Sequence, residues 1–115
     1  MILITKFRPP VGYTLYGGAD VSSVQVRGGA VYWAASMFLP STVYGGGLAL
    51  VIVVQTPQGS TAYIPLNTNN QPLRDARGQF TSLGDHLYFT GIDKTIESKP
   101  EVYMYLMENA LPVDV

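Results

Sequence analysis

An apolar run without a polar residue covers residues 48–54 and reads LALVIVV. Four of its seven side chains are β-branched, and such side chains favour strands because their restricted χ1 angle fits a pleated surface. Glycines 45–47 precede the run and Pro57 follows it, so a break is expected at each end. The run is far shorter than the about 20 residues of a membrane-spanning helix. It predicts a buried strand that must be covered on both faces, by its own chain or by a partner.

Alternating apolar and polar positions, separated by glycine- or proline-marked turns, predict seven further strands. Gly28-Gly29 and Gly84-Asp85 are typical of hairpin turns, and Pro40 ends a long apolar segment. No segment has a helical period. The sequence therefore predicts an all-β fold, an antiparallel β-sandwich of jelly-roll-like or related type, with about eight short strands. The predicted strands cover residues 2–7, 21–27, 30–39, 48–55, 60–66, 79–83, 86–90 and 101–108.

Two segments lack strand periodicity. Residues 8–20 contain Pro9-Pro10 and three glycines, which predicts a loose, irregular arm that packs on its own domain or on a neighbour. Residues 67–78 form a long polar loop that is expected to be functional or mobile. Neither segment has the composition of a linker, so residues 1–115 are predicted to form one domain.

Composition points to protein contacts on the surface. Only 13% of the residues are charged, against about 25% in an average soluble domain, whereas 47% are hydrophobic and eight are tyrosines. The last predicted strand is apolar on both faces, and a two-layer sandwich covers one face of each sheet. We therefore expect a homo-oligomer, with a trimer as the first guess. The interface is expected to include tyrosines of glycine-rich loops and one face of the last strand, namely Tyr13, Tyr16, Tyr44, Tyr103, Tyr105 and Met107.

The basic residues, the histidine content and the absence of cysteine argue against several classes of function. The seven lysines and arginines are spread from Lys6 to Lys99, which does not favour nucleic-acid binding. His86 is the single histidine and there is no cysteine, so neither a catalytic triad nor a transition-metal site is expected. No cofactor, no catalytic residue and no membrane partner are predicted. The basic residues follow the short apolar run at the N-terminus, which is not the pattern of a signal peptide, so a soluble protein of unspecified compartment is expected.

Three features together resemble the small all-β virion proteins of tailed bacteriophages, of the capsid decoration or cement type. They are the Pro-Pro arm of residues 8–20, the low-charge β domain of residues 21–108, and the ending EVYMYLMEN at residues 101–109. The resemblance implies a structural protein without catalysis, assembled as a symmetric oligomer on another capsid protein in the virion. The alternative is a carbohydrate-binding β-sandwich module, which the tyrosines and the asparagine-rich loop would suit.

Overall fold

The computed structural model describes residues 1–18 and 20–107, and they form two antiparallel sheets. The first sheet contains five strands: β1 (Thr14–Leu15), β2 (Gln25–Arg27), β3 (Ala30–Leu39), β4 (Gly47–Thr56) and β5 (Gly59–Tyr63). The second contains three: β6 (Arg77–Leu83), β7 (His86–Asp93) and β8 (Glu101–Leu106). The predicted all-β sandwich is confirmed, and the described residues contain no helix.

Consecutive hairpins set the strand order. β1 and β2 both pair with β3, which pairs with β4, which pairs with β5; the second sheet runs β6-β7-β8. The β2–β3 turn uses Gly28 and Gly29 at φ 55° and 81°, the left-handed conformation that a tight hairpin of this type requires. Strands β2–β5 and strands β6–β8 each form a meander, and β1 pairs with the end of β3 at Met37 and Phe38, whereas a jelly roll is built from two Greek keys.

The main core lies between the two sheets. Tyr32, Leu50 and Ile52 of the first sheet face Phe80 and Phe89 of the second, and all five are buried. The loop between β5 and β6 completes this core, because Leu73 and Ala76 are buried in it and the Leu50 amide donates to the Leu73 carbonyl oxygen at 3.0 Å. The polar segment at residues 67–78 thus contributes apolar side chains to the core.

A second core covers the outer face of the first sheet. Trp33, Met37 and Val51 are buried there, and Phe7 and the arm residue Tyr13 pack on this cluster. The Phe7 ring stacks on Trp33 with ring centroids 5.2 Å apart and planes at 10°. β4 is therefore covered on both faces by its own chain, and this face needs no partner.

The sequence placed some strands wrongly. Residues 2–7 form no strand: Phe7 stacks on Trp33 on the outer face of the first sheet, and Ile2, Leu3 and Ile4 are exposed. The predicted strand at 21–27 shortens to β2, since the Ser22 hydroxyl, instead of a backbone carbonyl, accepts the Ala34 amide at 2.9 Å. Within the expected irregular arm, Thr14–Leu15 pairs with Phe38 and Met37. Residue 108, the predicted end of the last strand, lies outside the described residues.

Candidate association surface

The outer face of the second sheet carries an apolar stripe along β8. The register aligns Val102 with Ile92, Met104 with Thr90 and Leu106 with Tyr88, so these side chains share one face of the sheet. Val102, Met104 and Leu106 are 68%, 64% and 46% exposed. We call these three residues the β8 stripe. Adjacent apolar side chains with this exposure are typical of a surface that contacts other protein.

The structure corrects the expected orientation of β8. Tyr103, Tyr105 and Met107 were expected on the outer face, but Met107 is buried in the main core and both tyrosines pack against it. The register is the physical reason: Tyr105 pairs with Phe89, which faces the core, and this places the even-numbered residues outside. The outward apolar face therefore exists, but it consists of Val102, Met104 and Leu106.

The Tyr105 side chain joins the two sheets at their β5–β8 side. Its hydroxyl donates to the Leu66 carbonyl oxygen at 2.7 Å. Burial, together with the nearby Tyr103 and Asp93, raises the pKa of Tyr105 to about 12. The hydroxyl consequently remains a proton donor in this contact throughout the neutral range.

An apolar cleft opens beside this contact, between the β5 side of the first sheet and β8. Its volume is about 170 Å³. We call it the edge cleft, and its walls are formed by Ile52, Tyr63, Ile64, Pro65, Tyr105, Leu106 and Met107. The β8 strand thus has two apolar surfaces, the β8 stripe on its outer face and the edge cleft beside Tyr105 and Met107, and Leu106 belongs to both.

The opposite side of the sandwich is closed by polar contacts. The Ser23 hydroxyl donates to the Phe80 carbonyl oxygen at 3.2 Å and accepts the Phe80 amide at 2.8 Å. Ser82 donates to the Gln25 side chain at 3.1 Å. These bonds tie β6 to the segment around β2, so the two sides of the sandwich differ in chemistry.

The loop tyrosines predicted as contact residues lie in three different places. Tyr13 is half-buried on the second core. Tyr16 is exposed and meets the exposed Phe38 ring edge-on at 5.9 Å. Tyr44 is exposed in the β3–β4 turn at φ 49°, where its carbonyl oxygen accepts a hydrogen bond from Arg74 at 3.3 Å. Their role in an interface stays a prediction, and they do not form one patch with β8.

Sequence reasoning missed a second exposed apolar segment. Met1, Ile2, Leu3 and Ile4 are each at least 83% exposed. The adjoining residues are fixed, because the Gln55 side chain donates to Thr5 Oγ1 at 3.3 Å and accepts the Arg8 amide at 3.4 Å. The run of four apolar residues predicts a strand of the domain, and the sequence pattern does not show that these side chains are exposed.

A polar cleft of about 330 Å³ lies at the other end of the second sheet, lined in part by Asn67, Arg74, Asp93 and Lys99. Burial alone would raise the pKa of Asp93, but hydrogen bonds from Thr95 and Asn67 outweigh it and the pKa is lowered. The carboxylate is therefore charged at neutral pH, yet its oxygens already accept bonds from Thr95 at 2.6 and 3.0 Å and from Asn67 at 3.3 Å. These bonds give the carboxylate a local structural role.

His86 is the single histidine of the sequence. Its side chain is exposed and lies beside Tyr88, with ring centroids 6.2 Å apart. Within residues 1–18 and 20–107, no three histidine, aspartate or glutamate side chains converge as a metal site. The same residues include no helix that is long and apolar enough to cross a membrane.

Comparison of the chain with protein-family models, curated proteins and solved structures gives no match.

Proposed function

We propose that the protein is a structural, non-catalytic, oligomeric binding protein of the capsid decoration or cement kind in a tailed-phage virion. The observation that carries the oligomeric part is the β8 stripe, whose three apolar side chains are exposed next to each other on one sheet face. The virion setting rests on the sequence resemblance alone. The other partner would be a capsid protein of that virion.

Low charge supports self-association. Fifteen charged side chains serve a chain of 115 residues, seven basic and eight acidic. Charged residues are depleted in the cores of protein interfaces, whereas aromatic residues and methionine are enriched there. Met104 lies in the middle of the β8 stripe and none of the three stripe residues is charged, which matches that composition. A closed symmetric assembly would bury the stripe without open-ended growth.

The polar cleft at Asp93 favours the second candidate, a carbohydrate-binding module. Amide and carboxylate groups can bind sugar hydroxyls through hydrogen bonds. The residues that line this cleft include no aromatic side chain, so the platform on which a sugar ring would stack is missing there. Binding of the intact protein to a glycan array, with a monomeric mass in solution, would favour this candidate over the first.

Met104→Lys tests the assembly surface. The substitution places an ammonium group in the proposed contact, where it would be buried without a partner, so the dissociation constant should rise about 30-fold, equivalent to about 2 kcal/mol. Light scattering over a dilution series measures this change. Met104 is a cleaner probe than Tyr105, because Tyr105 packs on the main core and its replacement would disturb folding.

Val26→Lys is the matched control. Val26 is also an exposed apolar strand residue, at 72%, but it lies on β2 in the other sheet. The control should leave the mass of the oligomer unchanged. Equal effects of the two substitutions would remove β8 from the interface, and a monomer at every micromolar concentration would contradict the proposed oligomer itself.

A further inference from the structure

The exposed segment at residues 1–4 and the edge of β8 have matching chemistry. Resting on the proposed oligomer, we propose that residues 1–4 of one copy add as a β-strand to the free edge of β8 in a second copy. In this mode of recognition, backbone hydrogen bonds supply affinity and the alternating side chains of the added strand supply specificity.

The donor segment is shaped for such an exchange. Phe7 on Trp33 and the two Gln55 hydrogen bonds hold the chain from Thr5 onward on the outer face of the first sheet. Residues 1–4 leave that face and expose all four apolar side chains. As an extended strand they reach about 13 Å, which is enough to lie along four of the six residues of β8. All four side chains are apolar and two of them are the β-branched isoleucines, which favour strands.

The acceptor edge meets both faces of the added strand with apolar surface. β8 is the last strand of its sheet, and no strand among the described residues pairs with its outer edge. Alternate side chains of an added strand would lie beside the β8 stripe, and the remaining ones would enter the edge cleft next to Tyr63 and Pro65. Both sets of side chains on residues 1–4 are apolar, so in either orientation one set enters the edge cleft and the other lies beside the β8 stripe, with no polar side chain placed against apolar surface.

The other strands at sheet edges offer a poorer fit. β6 carries Arg77, Gln79 and Thr81 on its outer face, and hydrogen bonds from Ser23 join its inner side to the first sheet. β5 carries Ser60 and Thr61 and is followed by Pro65, which has no amide hydrogen to donate to a ladder. Charged and proline-containing edges are those that resist strand addition. Of β5, β6 and β8, β8 is the one that has apolar or aromatic side chains at the majority of positions on both sides.

Such an exchange makes a head-to-tail contact, because the donor segment and the acceptor edge are different parts of the chain. Contacts of this type form a ring when the rotation between copies closes and an open filament when it does not, whereas a reciprocal exchange between two copies forms a closed dimer. Each copy would then cover the β8 edge of its neighbour and bury the apolar residues 1–4 of another. Residues 1–4 and the β8 strand would then gain apolar contacts from one interaction.

Cross-linking between two single-cysteine proteins tests this pairing, since the chain has no cysteine of its own. One protein carries Leu3→Cys, the other carries Met104→Cys and a size tag, and the mixed assembly is treated with a short bifunctional maleimide. The high effective concentration within a paired strand should give roughly tenfold more mixed product than the same reaction with Val26→Cys in place of Met104→Cys. All substituted positions are exposed, so folding is expected to be retained, and circular dichroism checks it.

Two outcomes would contradict the strand exchange while leaving the proposed oligomer intact. The first is an oligomeric mass with equal cross-linking at Met104 and Val26. The second is an oligomeric mass that does not change when residues 1–4 are deleted. Cross-linking that appears only when a truncated chain ends at Met107 would mean that residues 108–115 of the same chain compete for the edge, which also overturns the exchange in the intact protein. A monomeric mass of the intact chain overturns the proposed function first.

Discussion

Replacement of Gly78 by alanine should destabilise the protein by about 3 kcal/mol or more, a large effect for the addition of one methyl group. A Cβ atom at Gly78 would overlap Phe89 Cζ and would lie 2.7 Å from Phe89 Cε2 and 2.9 Å from the Thr90 carbonyl oxygen. The Phe89 ring cannot yield, because it is fully buried and packs on Phe80 with ring centroids 4.8 Å apart. Urea unfolding followed by tryptophan fluorescence measures the loss.

Gly17→Ala is the matched control for this substitution. A Cβ atom at Gly17 would have no neighbour within 4 Å, and the residue is exposed. The change in unfolding free energy should stay within about 0.5 kcal/mol. A Gly78 variant as stable as the control would mean that β6 and β7 do not pair in the register that places Gly78 opposite Gly91 and beside Phe89.

Truncation of Trp33 to alanine should cost about 3–5 kcal/mol, the range typical of large buried aromatic side chains. Trp33 is 1% exposed on the outer face of the first sheet, where Phe7 stacks on it and Tyr13 packs on the same cluster. The large loss is therefore expected even for the isolated domain, because the covering residues belong to the same chain. Unfolding followed by far-UV circular dichroism measures it, since the variant lacks the fluorescent side chain.

Trp33→Phe separates the packing of this ring from its polar atom. The buried indole Nε1 has no hydrogen-bond partner among the described residues, so its removal relieves an unsatisfied group while the phenylalanine keeps part of the ring contacts. The loss should be well below that of Trp33→Ala. If Trp33→Ala were near neutral, the second core would not exist in solution, and the outer face of β4 would be available to a partner.

The central hairpin of the fold was predictable from the sequence. The strand predicted at 30–39 coincides with β3, and the strand predicted at 48–55 lies within β4. Long β-branched and aromatic runs bounded by glycine or proline specify strands locally, since they do not depend on what covers them. The turn at Gly28-Gly29 is equally local, because its positive φ angles favour glycine.

The orientation of β8 was not predictable in the same way. Alternation shows which residues of a strand share a face, but a strand that is apolar on both faces does not indicate which of them meets the core. Pairing of Tyr105 with Phe89 decides this, and Phe89 faces the core because of its contact with Phe80 in another strand. The candidate surface therefore lies on the predicted strand, but on the face of Val102, Met104 and Leu106 and not on the predicted face of Tyr103, Tyr105 and Met107.

Residues 2–7 were misassigned for a related reason. Their composition suits a strand, but composition alone does not show whether an apolar segment pairs with a sheet edge. Phe7 stacks on Trp33, and residues 1–4 are exposed and pair with no strand of the described chain. The exposed apolar segment and the exposed β8 stripe both arise from tertiary contacts that a single sequence does not display.

Hydrogen exchange of β8 compared with β6 tests the central claim, that the protein assembles through the β8 edge. Both strands lie at edges of the same three-stranded sheet, so each serves as the reference for the other. The account predicts that amides of residues 101–106 exchange more slowly than those of residues 77–83, and that this protection decreases as the protein is diluted below its dissociation constant. Equal exchange of the two strands at all concentrations would contradict it.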